Sequence, residues 1–156
     1  MNEKAYDANS GNGDLEVGDF ALSITNGVAT IGSATPTSIS RIGDHQYVLG
    51  FSLSGTPNGS EQLAVVPIAN SIFDINGTAS STSQSNNTVN LFEKVLPTIS
   101  STALAADNST ITATFSEAVF KSRSASGTGF AGNGDLEVSD FVLSMSGGVA
   151  TLGSAT

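Results

Sequence analysis

The chain has 156 residues, no Cys, and 14 acidic against 5 basic side chains, giving a formal net charge of −9. That balance repels phosphate backbones and anionic lipid, so nucleic acid is not an expected partner, and without Cys neither disulfides nor thiolate metal sites can form. Charged residues make up only 12%, Ser and Thr together about a quarter, with 17 Gly and no Trp, a composition that favours short strands joined by polar turns.

Taken in order, the chain alternates apolar and polar residues and shows no helical period. Phe20, Leu22 and Ile24 form the first apolar stripe, closed by the turn pair Asn26-Gly27. Tyr47, Leu49, Phe51 and Leu53 alternate with Val48, Gly50 and Ser52, which predicts one continuous strand. Leu63 to Ile68 and Thr88 to Phe92 follow, separated by Asn76-Gly77, and Asn58-Gly59 precedes them. Leu96-Pro97 marks a junction, because Pro removes a ladder donor and stiffens a linker. Beyond it, Ile111, Ala113 and Phe115 face one way and Thr110, Thr112, Thr114 and Ser116 the other, after the turn at Asp107-Asn108. Phe141, Leu143 and Met145 form the last stripe, before Gly147-Gly148. Strands at roughly ten-residue spacing, half buried and punctuated by turns, predict an all-β fold of the antiparallel β-sandwich type.

Two of these stretches are copies of one another. Gly11 to Thr35 (GNGDLEVGDFALSITNGVATIGSAT) aligns with Gly132 to Thr156 (GNGDLEVSDFVLSMSGGVATLGSAT) at an offset of 121, with 19 of 25 positions identical. Such density implies tandem duplication of a module about 120 residues long. The chain is therefore expected to begin inside one module and stop inside the next. Residues 1–95 would be a module lacking its first strands, and 96–156 the N-terminal part of a second copy. Ser116 to Phe120 resembles Asn2 to Tyr6, which aligns the two heads. After that point the first copy has Asp7 to Ser10 and the second has Lys121 to Ala131, a difference expected in a surface loop.

Ordered as head (Pro97 to Phe120) and body (Gly11 to Val95), the pieces resemble the immunoglobulin-like tandem repeats of large bacterial surface proteins and adhesins. The resemblance is carried by Pro97-Thr98-Ile99, by Asp107 to Val119, by Asp19-Phe20, by Tyr47-Val48-Leu49 and by Gly55 to Val66. Ser71 to Gly77 resembles the family's IxDxxGN turn, with Thr78 where Asn is usual. The resemblance implies an immunoglobulin-like sandwich in an extracellular or cell-surface protein, flanked by neighbouring repeats, with no catalytic residues to carry over. No run approaches the roughly 18 apolar residues of a spanning helix, so membrane insertion is not expected. The opening MNEKAYDANS is no signal peptide, so export is expected to be directed from outside this sequence.

Calcium is the first candidate ligand. Asp7, Asn9, Asn12, Asp14, Glu16 and Asp19 crowd into thirteen residues, and hard oxygen ligands at short spacing suit Ca²⁺. Turn and cap chemistry is the alternative for the same residues. Glu117 with Asp107 or Asp74 is a second candidate, as a cation bridge at a module end. The single histidine, His45, sits in the polar run Gly43 to Gln46 and reads as a turn residue, so the chain is not expected to be an enzyme. Lys4, Lys94 and Lys121 lie near strand ends or in loops, which disfavours Lys–Asn cross-links. Asn-x-Ser/Thr triplets at Asn58, Asn76, Asn86 and Asn108 are expected by chance in this composition.

A sandwich lacking its first strands exposes an edge. Pro97 to Phe120 is expected to supply the missing strands to a neighbouring molecule, giving a strand-swapped homo-oligomer. The expected role is a structural spacer stiffened by Ca²⁺. Two alternatives stay open: a glycan- or protein-binding module acting through Asn9 to Gly13 and Lys121 to Ala131, and an accessory domain of a secreted polysaccharide hydrolase.

Overall fold

Residues 3–126 and 129–153 are described by the computed structural model, with 123–131 followed along the backbone only. The fold is all-β. Every ladder among the described residues is antiparallel, and the only helices are two short 3₁₀ segments, Val17–Asp19 and Val138–Asp140. The chain divides into two units, Met1–Val95 and Leu96–Thr156.

The first unit is organised by β1 (Phe20–Thr25), which pairs with β6 (Gln62–Pro67), itself paired with β7 (Thr88–Asn90). The register sets Phe20 against Pro67, Leu22 against Val65 and Thr25 against Gln62. Burial follows the two-residue period of the sequence: Leu22 is buried while Ser23 and Thr25 are exposed. At the end of β1, Asn26 (φ 63) and Gly27 (φ 64) both take left-handed backbone, the requirement of a type I′ turn. Leu15, Leu22, Ala29 and Ile72 form the apolar centre of this unit, with Pro36 and Pro57 also buried. Tyr6 exchanges two backbone bonds with Phe73 (2.9 and 2.8 Å), which ties the first residues to the Ile72 region.

The run from Tyr47 to Leu53 is not one strand. It forms β4 (Gln46–Gly50), paired with β3 (Ser38–Gly43), and β5 (Leu53–Ser54), paired with β2 (Thr30–Ile31). Tyr47 and Leu49 keep the expected half-buried face, but Phe51 and Leu53 are exposed. The cause lies in the partner strand. Between β2 and β3 runs Gly32-Ser33-Ala34-Thr35-Pro36, where Pro36 has no N–H to donate and the Ala34 carbonyl accepts from Leu22 N at 2.6 Å instead. Bonds from Gly32 N to Ser52 O (2.9 Å) and Thr37 N to Gly50 O (2.8 Å) flank the break.

In the second unit, β8 (Ile99–Leu104) and β9 (Ile111–Phe115) form a hairpin closed by Asn108 at φ 60. Ala113 and Phe115 keep the predicted inner face, and Phe115 lies 6.4 Å from the Phe141 ring. The segment expected to be a surface loop carries a second hairpin, β10 (Ser122–Ser126) with β11 (Gly129–Asn133). Alternating small residues suit such a ladder, and residues 127–128 lie outside the described residues. Phe141 to Ser146, the twin of β1, carries no ladder, and none of the described residues of this unit is buried. Leu22 is 4% exposed, whereas its twin Leu143 is 57% exposed.

That contrast has a measurable consequence. Leu22→Ala is expected to lower the unfolding free energy by about 2–4 kcal/mol, and Leu143→Ala to change it by less than about 0.5 kcal/mol, in urea denaturation. Equal effects would mean that Leu143 is covered in solution.

Candidate functional site

The most distinctive group in the molecule is Glu61, whose side chain is fully buried. The β1–β6 register ends at Thr25 opposite Gln62, so Glu61 comes next, beneath the Asn26-Gly27 turn. Its Oε1 accepts from Val28 N (2.9 Å), Ala29 N (3.0 Å) and Asn58 N (3.2 Å). Its Oε2 accepts from Asn58 N (3.0 Å) and Gly59 N (3.0 Å). Four backbone donors from two loops thus surround one carboxylate, and no ion pair to it occurs among the described residues. Burial by itself would raise the Glu61 pKa. Donation from Ala29, Val28 and Asn58 outweighs it and holds the group down at about 2.

The surrounding sequence is built for this contact. A Cβ on Gly27 would lie 2.3 Å from Glu61 Cδ, so only Gly fits above the carboxylate. Asn58 Oδ1 accepts from Ser60 N (3.0 Å), and Gly59 takes φ 84, which turns the Asn58 and Gly59 amides inward. The Glu61 carbonyl accepts from Leu91 N (2.9 Å), so the same residue also anchors the approach to β7. Chemically this is an anion hole made of main-chain dipoles: it holds a carboxylate without a cation.

The residues expected to bind calcium are distributed over several contacts. Glu16 N donates to Asp19 Oδ2 (2.7 Å) while the Glu16 side chain accepts from the Asp19 backbone, a reciprocal cap on the 3₁₀ segment. The second copy builds the same cap, with Glu137 N donating to Asp140 Oδ2 at 2.8 Å. Asp14 lies 3.9 Å from Lys4 Nζ, and Lys4 also sits 4.8 Å from the Tyr6 ring centroid. Asp7 packs on Gly13, where a Cβ would fall 1.7 Å from its Oδ1. The Asn9 carbonyl lies against Gly77, and the Asn12 carbonyl accepts from Ala8 N (3.2 Å). Among the described residues no group of three or more His, Asp or Glu side chains is gathered as a metal site.

In the second acidic set, Asp107 and Glu117 lie beyond opposite ends of β9, and Asp74 belongs to the first unit. Asp107 closes the β8–β9 turn, accepting from Ser109 N (3.0 Å) and Ser109 Oγ (2.7 Å), which lowers its pKa. Glu117 lies beyond the other end of β9. Asp74 Oδ1 accepts from Thr78 N and Asn76 N (both 2.8 Å), and these bonds lower its pKa. His45 occupies the turn between β3 and β4, with Arg41 bonded to Asp44 beside it. Tyr47 Oη is buried without a hydrogen-bond partner. A shallow groove of about 310 Å³ lies between Lys4-Ala5 and Ile72-Phe73. Lys121 pairs with Glu137 (2.5 Å), not with an Asn. Glu61 escaped the sequence reading because an isolated acid in a hairpin looks like surface. Its signal is an acid set between an Asn-Gly turn and an apolar strand.

The Glu61 pKa fixes the sign of an acid effect. Its folded value of about 2 lies below the ordinary 4.5, so the unfolded chain takes up the proton first as pH falls. Its contribution is fully present above pH 4.5 and is lost between there and pH 2. Asp74 and Asp107, also held low, act in the same direction. Glu61→Gln is expected to lower Tm near neutral pH by about 5–10 °C and to flatten the acid limb of a Tm–pH profile. An unchanged profile would mean that another group titrates there. Compared with known proteins, the chain matches no family model, no curated protein and no solved structure.

Proposed function

We propose that this chain is a non-catalytic structural repeat of a secreted, bacterial adhesin-type surface protein, built from immunoglobulin-like β-sandwich modules that space and present a distal binding region. One observation carries the reading. Gly11 to Thr35 and Gly132 to Thr156 are near-identical in sequence and form the same cap and turn in both copies. Duplication of one folded segment at a fixed period is the signature of a tandem array. The net charge of −9 and the Ser/Thr-rich composition suit an extracellular setting. No helix among the described residues is long and apolar enough to cross a membrane.

A second reading, direct binding of glycan or protein, is favoured by the β10–β11 hairpin, which replaces the short Asp7 to Ser10 connection of the first copy. Calcium stiffening belongs to the main proposal and rests on Asp7, Asn9, Asn12 and Asp14, since Glu16 and Asp19 are engaged with each other's backbone.

Two measurements test these readings. In small-angle X-ray scattering, chains concatenating Gly11 to Ala131 two, four and six times are expected to lengthen in proportion to the number of repeats. Growth of the maximum dimension as the cube root of mass would refute the extended array. A melt in EDTA and then in millimolar Ca²⁺ is expected to raise Tm with calcium if the cation stiffens the module; an unchanged Tm assigns the segment to turn chemistry alone.

A further inference from the structure

Asn-Gly pairs occur at Asn12, Asn26, Asn58, Asn76 and Asn133. In such a pair the Gly amide nitrogen can attack the Asn side chain, because the second residue has no Cβ to obstruct the approach. Ring closure needs rotation about the Asn Cα–C bond, and that rotation displaces the linking peptide, both its carbonyl and its amide. Any bond this peptide makes must open first, so hydrogen bonding decides which pair reacts.

Most of these pairs are tethered. Gly59 N donates to Glu61 Oε2 (3.0 Å) and Gly77 N to the Asp74 carbonyl (3.1 Å). The Asn12 carbonyl accepts from Ala8 N (3.2 Å), and the Asn133 carbonyl from Ser122 Oγ (3.1 Å). Asn26-Gly27 is different. Among the described residues neither the Asn26 carbonyl nor the Gly27 amide makes a hydrogen bond, and both residues are exposed.

We infer that Asn26 is a modification site, which water converts to a mixture of aspartate and isoaspartate, and that this conversion loosens the hold of the turn on Glu61. The Gly27 amide gives its proton to hydroxide, and its nitrogen bonds to Asn26 Cγ. The Cγ–Nδ2 bond breaks, and Nδ2 leaves as ammonia with a proton taken from water. Water then opens the resulting five-membered imide at one of its two carbonyls. Opening at the former side-chain carbonyl restores the main chain and leaves aspartate. Opening at the former backbone carbonyl routes the main chain through Cβ and Cγ, which is isoaspartate.

The consequence follows from where the turn sits. Gly27 packs so closely on Glu61 that a Cβ there would fall 2.3 Å from Glu61 Cδ. The next two amides, Val28 and Ala29, donate to Glu61 Oε1 at 2.9 and 3.0 Å. Isoaspartate lengthens the main chain by one atom just before these donors. Either product also sets a new negative charge over a carboxylate that makes no ion pair among the described residues.

The test is incubation of the full chain in mildly alkaline buffer at physiological temperature, with peptide mapping by mass spectrometry at intervals. Asn26 is expected to convert first, about 10-fold or more faster than Asn58 or Asn76, and the aged protein to melt lower than the fresh one. Asn26→Gly suits the φ of 63, cannot form the imide, and is expected to keep its Tm through the same incubation. Amide hydrogen exchange gives a second readout, with Gly27 expected to exchange fast and Gly59 and Gly77 slowly. Conversion of any other Asn as fast as Asn26, or slow exchange at Gly27, would overturn the assignment of the site. An equal loss of Tm in the aged Asn26→Gly protein would overturn the coupling to Glu61.

Discussion

The Glu61 carboxylate ties the Asn26 to Ala29 turn and the Asn58-Gly59 turn to the head of β6, and the architecture of the first unit depends on it. A buried anion is costly unless its lone pairs are filled, and here they are filled by main-chain amides whose positions are set by left-handed turn residues. The turns hold the carboxylate, and the carboxylate holds the turns. Loss of either half leaves donors or an acceptor stranded in the interior, which is why a single side chain has such structural reach.

The latch also decides how the hydrophobic pieces come together. It fixes β6 against β1 in a single register, placing Val65 opposite Leu22 and sealing the small centre formed with Leu15, Ala29 and Ile72. Where the twin segment recurs without a latch, the cap and turn survive but Phe141, Leu143 and Met145 stay exposed. Short-range chemistry is thus complete in both copies, and burial is complete in one.

The acidic segment before β1 shows how local chemistry can imitate a ligand site. Asp and Glu at short spacing suit a hard cation, but the reciprocal cap between Glu16 and Asp19, repeated by Glu137 and Asp140, gives those carboxylates a structural task in both copies. Asp74 and Asp107 likewise serve the turns they stand in. Asp107 is held low in pKa by donation from the Ser109 hydroxyl and amide, and Glu61 and Asp74 by donation from backbone amides, so these three charges serve loop geometry.

The sequence by itself determined whatever depends on a few neighbouring residues. The stripes at Phe20 to Ile24 and Ile111 to Phe115 are strands, and the turn pairs at Asn26-Gly27, Asn58-Gly59, Asn76-Gly77, Asp107-Asn108 and Gly147-Gly148 each contain left-handed backbone. These follow from the two-residue period and from steric freedom at Gly and Asn, which no distant contact need supply. Only the tertiary structure decided the rest. The break of the Tyr47 to Leu53 run depends on a bend in its partner around Pro36, the inserted loop found a ladder within itself, and Glu61 became central because β6 brings it beneath a turn 32 or 33 residues earlier in the chain. Leu22 is buried because β6 lies alongside it, and no pattern local to β1 encodes which strand later in the chain will pair there.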